Sequence, residues 1–287
     1  MIGTIQNDYH IPDCLLNDIM KRAIEEDLGC HGDLTSRDVT SDGTTYNAKI
    51  NAREAGVISG MQIAKIAFLM IDKTLEIKTC IKDGSYVQKN DTCMTIKGDA
   101  KSILMAERVA LNFAGRLSGI ATMTSAFVSK TKGTKAKICC TRKTTPGLRL
   151  IEKEAVRHGG GANHRFGLND AIMIKDNHIA AAGSIEKVLE RARKFASHMT
   201  TIEIEVDTLN QLEMVLNAGG ADVVLLDNMT NKDMLLAVKL IKGRMTVEAS
   251  GNMTLDRISS VASTGVDFIS VGGLTHTVAN FDLGLDF

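Results

Sequence analysis

From about residue 135 onward the chain alternates between short β-branched or aliphatic runs and segments of helical periodicity. This alternation constrains the fold more than any other feature. The apolar runs are AKICCT (136–141), AIMIKD (171–176), TIEIEVD (201–207), DVVLLD (222–227), TVEAS (246–250) and FISVGG (268–273). Between the later ones, TLNQLEMVLNAGG places Leu209, Leu212, Val215 and Leu216 on one helical face, with Gly219-Gly220 as a stop. NKDMLLAVKLIKG repeats the pattern with Leu235, Val238 and Ile241 ahead of Gly243. TLDRISSVASTG repeats it with Leu255, Ile258 and Val261 between a Thr254 N-cap and Gly265. Strands that alternate with helices pair in parallel, and runs apolar on both sides expect cover on both faces of the sheet. Six such strands could build an open doubly wound sheet or a barrel. The last two runs each end in a small Gly-containing turn, the way α/β barrels hold a phosphate, so a barrel is expected.

The first third reads differently. AIEEDLGCHGDLTS reads as a helix followed by a polar loop, and MQIAKIAFLMI as a helix. YNAKINAREAGVISG and EIKTCIKDGSYVQKNDTCMTIKGD alternate as antiparallel strands with DG and KND turns. A long helical stretch beginning AKSILMAERV leads into the barrel. The expected organisation is an α+β domain over residues 1–115 and a barrel over 116–277. The tail, 278–287, returns to the first domain as a strand.

Lys+Arg and Asp+Glu both total 34, so there is no global pull toward nucleic acid or a membrane surface. Yet Arg142, Lys143, Arg149, Arg157, Arg165, Lys175, His158, His164 and His178 crowd one short stretch. Cations gathered in a neutral chain suggest a pocket for a small polyanion rather than a basic face. No apolar stretch approaches the roughly 20 residues that span a bilayer. The opening MIGTIQNDYHIPDCLL lacks the basic region and apolar run of a secretory signal. The six cysteines show neither a CxxC pair nor zinc-type spacing with histidine. Cys139 and Cys140 read as reduced core residues, and the expected compartment is the cytoplasm.

In βα barrels the reactive groups sit at the C-terminal ends of the strands. Read in order, those ends deliver Thr141, Arg142 and Lys143; Lys175, Asp176 and Asn177; Glu205 and Asp207; Asp227 and Asn228; Glu248, Ser250, Gly251 and Asn252; and finally Gly272 and Gly273. Cations come early, acids midway and a glycine cradle last. That order suits a small multi-carboxylate paired with a sugar phosphate. Each residue also has a structural reading. Alone, Arg142 and Lys143 read as solvated loop charges, a reading that the company of Arg165 and Lys175 weakens; Lys175 reads as a snorkelling strand residue, and His164 as a satisfied core histidine. Of Glu203 and Glu205, one is expected to face inward, and the pattern does not say which. Asp227 ends an apolar run where an unpaired carboxylate is costly. Gly159-Gly160-Gly161 looks like a phosphate loop but lacks the GK[ST] of a P-loop. Pro146 is expected to fix the loop presenting Arg142 and Lys143.

The segments TRKTTPGLR, GGGANHR, IKDNH, EVDTLNQ, LLDN, EASGN and SVGGLTH, in that order, closely resemble the quinolinate phosphoribosyltransferase family. EEDLGCHGDLTS and ERVALNFAGRLSGIAT resemble its N-terminal motifs. The resemblance implies an N-terminal α+β sandwich-like domain and an open α/β barrel of fewer than eight parallel strands. It implies a reaction: quinolinate and phosphoribosyl pyrophosphate give nicotinate mononucleotide, pyrophosphate and carbon dioxide, with Mg2+, toward NAD. It implies a homodimer in which an arginine of the partner's N-terminal domain completes the site. The matching residue is Arg108, and a hexamer is left open. The quinolinate-binding cations then fall on Arg142, Lys143, His164, Arg165 and Lys175, with Thr141 in the same turn as the first two. The acids facing the phosphoribosyl group fall on Glu205 and Asp227. The phosphate turns fall on Ser250, Gly251 and Asn252, and on Val271, Gly272 and Gly273. Lys143 is expected near the carbon that loses its carboxylate. The departures are Asn252, where glycine is frequent, and Gly273, where alanine is common. Four other readings stand beside this one: a paralogue associated with molybdate-transport operons, a nicotinate-using transferase, a Schiff-base aldolase on Lys175, and a phosphate-binding module without activity.

Overall fold

The computed structural model describes residues 11–287. The first ten residues, which hold most of the span read above for a secretory signal, lie outside the described residues. The chain divides into two compact units. One runs as far as Gly119 and adds Asn280–Phe287, and the other is Ile120–Ala279.

The first unit contains helices α1 (Asp13–Leu28), α2 (Leu34–Val39) and α3 (Met61–Ile71). Its strands are β1 (Thr45–Ala52), β2 (Gly56–Val57), β3 (Glu76–Thr79), β4 (Tyr86–Val87) and β5 (Thr92–Asp99). β5 lies antiparallel between β1 and β3, and β2 pairs with β4. Alternation places Ala48, Ile50 and Ala52 of β1 in the core with Phe68, Met94 and Ile96. The expected polar loop after α1 is corrected in part: its GDLTS portion starts α2. The Asp33 carboxylate caps that helix by accepting from Ser36 N at 3.0 Å.

The long helix α4 (Ala100–Ser129) carries the chain into the second unit. There follow β6 (Lys137–Cys139), α5 (Arg149–His158), β7 (Ile172–Ile174), α6 (Asp176–Ala182) and α7 (Ile185–Phe195). Then come β8 (Ile202–Val206), α8 (Leu209–Ala218), β9 (Val223–Asp227), α9 (Asn231–Ile241), β10 (Thr246–Ser250), α10 (Leu255–Ala262), β11 (Phe268–Ser270) and α11 (Gly273–His276). The six strands form one parallel sheet in the order β6-β11-β10-β9-β8-β7. From β7 to β11 the strands follow in chain order, and β6 then joins β11. A doubly wound sheet would reverse direction at an internal switch point, and this one does not. β6 and β7 are left as the two edges, so the barrel is open. The edge of β6 is partly covered, because Ala162 N donates to Ile138 O at 2.7 Å and Ala162 O accepts from Cys140 N at 3.2 Å.

On β8 the even residues Ile202, Ile204 and Val206 are fully buried. Burial of each such aliphatic side chain contributes roughly 1.5–3 kcal/mol relative to exposure. Gly219 caps α8 as expected, but α9 is capped by left-handed Lys242 just before Gly243, and α10 by Ser263 ahead of Gly265. Thr254 occupies the N-cap position of α10, but its side chain makes no cap hydrogen bond. Cys139 and Cys140 are buried and free. The final strand, β12 (Leu283–Asp286), pairs antiparallel with β1, giving the sheet of the first unit the order β12-β1-β5-β3.

Candidate active site

At the C-terminal ends of the barrel strands lies a cavity of ≈ 440 Å³ lined by Thr141, Arg142, Lys143, His164, Arg165, Met173, Lys175, Glu205, Leu225, Asp227, Glu248, Ser250 and Ser270. The parallel register explains the acidic wall. Glu205 and Glu248 both stand beside Leu225, and Asp227 stands beside Ser250 one pleat further along. A strand repeats every two residues, so Glu203 and Glu205 share a face. The expectation that only one of them faces inward is therefore corrected. Both do, with Glu203 a layer deeper and 5% exposed.

The loop after β6 is held from several sides. Lys143 N donates to Thr141 Oγ1 at 3.0 Å, and Thr144 N to Arg142 O at 2.9 Å. Thr145 N and Oγ1 donate to the two oxygens of buried Glu152, at 3.0 and 2.7 Å. Pro146 and Gly147 (φ 81°) form a tight turn closed by Leu148 N donating to Thr145 O at 3.0 Å. Arg149 reaches across to Thr144 Oγ1, Arg142 O and Phe166 O, which makes it a staple of the loop.

Not every cation of the sequence cluster reaches the cavity. Arg157 and His158 approach Glu154 on their own helix, at 3.3 and 3.5 Å. His178 Nδ1 accepts the Lys175 backbone N–H at 2.9 Å, at the start of α6. The cavity keeps Arg142, Lys143, His164, Arg165 and Lys175. The Nε atoms of Arg142 and Arg165 are buried without a hydrogen-bond partner. Burial, followed by the charge of Arg142, lowers the pKa of Arg165 from its ordinary value. Two neighbouring guanidiniums with unpaired buried N–H groups are an arrangement that an anion completes. Lys175 Nζ forms an ion pair with the Glu205 carboxylate.

His164 is more committed than its sequence suggests. Its Nδ1 accepts the Arg165 backbone N–H at 2.8 Å, so the ring proton sits on Nε2. Nε2 lies 3.0 Å from Glu203 Oε2 and 3.6 Å from Glu248 Oε1. Burial opposes the charged form of His164, but the Glu203 hydrogen bond and the nearby Glu248 charge outweigh it, and the pKa is raised. Lys153, buried in α5, donates to His164 O at 2.8 Å and to Cys140 Sγ at 3.0 Å, anchoring this segment.

The two turns expected to bind phosphate flank the cavity, but of their residues only Ser250 lines it. Gly251 has φ 94°, and a Cβ there would fall 2.8 Å from Asn228 N. Asn252 adopts the left-handed backbone expected of it, with φ 49°. Asn228, also left-handed, donates from Nδ2 to Asp227 Oδ2 at 2.6 Å. Val271 N donates to Cys139 O at 2.9 Å, and a Cβ on Gly272 would meet Lys143 Cδ at 3.1 Å. Gly273 opens α11. The Gly159–Gly161 run makes no phosphate loop, because a Cβ on Gly159 would fall 2.4 Å from Ala121 O. These glycines let α5 pack against the end of α4. Arg108 lies on α4 in the first unit, with an exposed side chain 3.6 Å from Glu107.

Sequence reasoning did not place Met173, Leu225 or Ser270 at the site, and it named Glu248 at a strand end and Glu203 as one of two inward candidates without giving either a role. Parity with Glu205 and Ser250 was the available signal for the two glutamates.

A singly wound open barrel with guanidiniums whose Nε–H groups are unpaired, glycine turns and carboxylates at its strand ends defines an α/β-barrel enzyme that binds a small polyanion. Residues 120–286 match the family model "Quinolinate phosphoribosyl transferase, C-terminal domain", and residues 33–118 match the corresponding N-terminal domain. The chain belongs to the quinolinate phosphoribosyltransferase family. A relative from Bacillus subtilis (strain 168) is 44% identical over 271 residues, covering 94% of this chain and 93% of the relative. The nicotinate-nucleotide pyrophosphorylase (carboxylating) of Mycobacterium leprae (strain TN) is 40% identical over 277 residues, covering 94% of this chain and 96% of that protein. The crystal structure of NadC from Streptococcus pyogenes superposes with a TM-score of 0.94 at 38% identity, covering 98% of each chain.

Proposed function

We propose that this chain transfers the phosphoribosyl group of phosphoribosyl pyrophosphate to quinolinate, with decarboxylation, giving nicotinate mononucleotide, pyrophosphate and carbon dioxide. Family membership supports the reaction. The observation that carries the substrate assignment is the pair of unpaired, buried Nε–H groups on Arg142 and Arg165 in a cavity that also holds Lys143. Two carboxylates on one ring need two such clamps, and a monocarboxylate needs one. The paralogue, the nicotinate-using transferase and the aldolase all leave part of this cluster without a purpose. Lys175 is moreover gripped by Glu205, which suits an ammonium that positions rather than a free amine that attacks.

The cations orient the pyridine so that its nitrogen meets the anomeric carbon. Departure of pyrophosphate leaves positive charge on the ribose, and Glu205 and Asp227 stabilise it through the sugar hydroxyls. Alkylation makes the ring nitrogen cationic, so loss of the adjacent carboxylate leaves a stabilised carbanion, with Lys143 as the neighbouring cation. Ser250 to Asn252 and Val271 to Gly273 offer backbone N–H groups to the phosphates. Of the carboxylates lining the cavity, Asp227 alone has no cation partner among the described residues. A hard oxygen donor of this kind would hold magnesium. Magnesium, when bound, neutralises charge on the leaving pyrophosphate.

Arg108 of a partner subunit completes the pocket in a homodimer, and the protein works in the cytoplasm. No helix among the described residues is long and apolar enough to cross a membrane. Calorimetric titration tests the substrate reading. Quinolinate should bind at least about 100-fold more tightly than nicotinate, the loss of one charge-assisted clamp. Equal affinities would contradict it.

A further inference from the structure

Beneath the cation cluster sits an acidic arrangement that phosphoribosyl transfer does not use. Glu203 and Glu248 are each 5% exposed, and the Oε1 atom of each is buried without a hydrogen-bond donor. Between them they have one N–H, that of His164 Nε2, at 3.0 and 3.6 Å. The other ring nitrogen accepts from Arg165 N, so it offers neither carboxylate a second N–H. Two ionised carboxylates with one shared N–H and the Ser270 hydroxyl beside Glu248 are costly in a water-poor site, and one proton between them removes most of that cost. Glu248 also forms part of the cavity wall. A carboxylate there repels an incoming dianion unless it is neutral.

We propose that Glu203 and Glu248 hold one proton between them whenever the pyridine dicarboxylate is bound, so that substrate binding draws a proton from solution. The inference rests on quinolinate being the ligand. It makes the carboxylate pair a determinant of dianion binding, acting alongside the Arg142 and Arg165 clamp.

β9 sets apolar Leu225 beside Glu248, and the titratable and polar groups facing it come from other elements. They are Glu203 of β8, His164 of the segment before β7, Ser270 of β11 and Cys139 of β6, with Lys153 of α5 acting on His164 and Cys139. In the empty protein, burial first and then the Glu203 charge raise the pKa of Glu248 to about 7, against the opposing effect of His164. At pH 8 Glu248 is thus mostly ionised before ligand arrives, and the proton must enter with it.

The test is titration of the intact protein with quinolinate alone at pH 8, in buffers of different ionisation enthalpy. The dependence of heat on buffer gives the protons taken up. Native protein should take up more than about half a proton per site, and Glu248→Gln less than about a tenth. Native affinity should weaken as pH rises from 7 to 9, whereas that of Glu248→Gln should stay flatter. Should Glu248→Gln not fold, Glu203→Gln takes its place with the same expected loss of uptake. Binding without uptake, or equal uptake in native and variant proteins, overturns this inference alone. Absence of quinolinate binding by the native protein overturns the proposed function, and this inference with it.

Discussion

The hydroxyl of Thr275 donates to the carbonyl oxygen of Lys143 at 2.6 Å, joining the last glycine turn to the loop that carries the cations. Thr275 is fully buried, so the bond is shielded from water. Its loss should free the Lys143 backbone and disturb both the proposed anion clamp and the adjacent glycine turn. Thr275→Val should lower kcat/KM for quinolinate by roughly tenfold, the effect of losing one buried hydrogen bond of about 1.4 kcal/mol. Thr275→Ser should restore most of it. Steady-state kinetics on both variants decide the point, and unchanged kinetics in Thr275→Val would remove the coupling.

Lys143 offers a sharper separation of chemistry from folding. Its side chain reaches the cavity from a loop pinned by Thr141, Glu152 and Thr275, so removing the ammonium leaves the scaffold in place. Lys143→Ala should lower turnover by about 100-fold or more, as expected for a preorganised charge at the reacting centre. The melting temperature should change by only a few degrees. A variant that turns over normally would sink the assignment.

Arg108 tests whether the site is shared between subunits. Arg108→Ala and Lys143→Ala should each be nearly inactive alone. Mixed under conditions of proven subunit exchange, they should regain up to about a quarter of native activity, because a hybrid dimer keeps one intact site. No recovery would refute donation across an interface.

Stability should follow the buried acids. The pKa of Glu248 is raised by burial and then by Glu203, so the folded state holds a proton that the unfolded chain has already released above the ordinary carboxylate range. The cost of ionising it grows as pH rises toward about 7 and then levels off. The raised pKa of His164 works the same way, since its stabilisation is complete below the ordinary histidine value and fades as pH climbs through the folded one. Melting curves between pH 5 and 9 should therefore show Glu248→Gln gaining on the native protein as pH rises. A gain confined to pH 5 would reverse the sign and contradict the burial argument.

The barrel was legible because each strand announces itself twice, by an aliphatic run and by the glycine or cap that follows, as in VVLLD before α9 and TVEAS before α10. The openness of the barrel rested on family resemblance alone, because strand order across the sheet leaves no mark in periodicity. Helix α5 escaped the pattern because Glu152 and Lys153 are buried at its centre, where charge normally marks a solvated face. Their reasons are tertiary: one accepts from Thr145, and the other supports His164 and Cys140. The cation cluster pointed to the right place, but distances were needed to separate Arg142, Arg165 and Lys175 from Arg149, Arg157 and His178, which serve loop and helix. Glu248 was named at its strand end yet not placed in the site. A carboxylate in a cation-lined cavity makes sense only with the shared proton proposed for it.

The most direct single measurement follows products from quinolinate, phosphoribosyl pyrophosphate and magnesium, with nicotinate as a parallel substrate. Nicotinate mononucleotide and carbon dioxide should appear in equal amounts from quinolinate, and no nucleotide should form from nicotinate. Product from nicotinate, or none from either pyridine with folded protein, would contradict a cavity built to clamp two carboxylates.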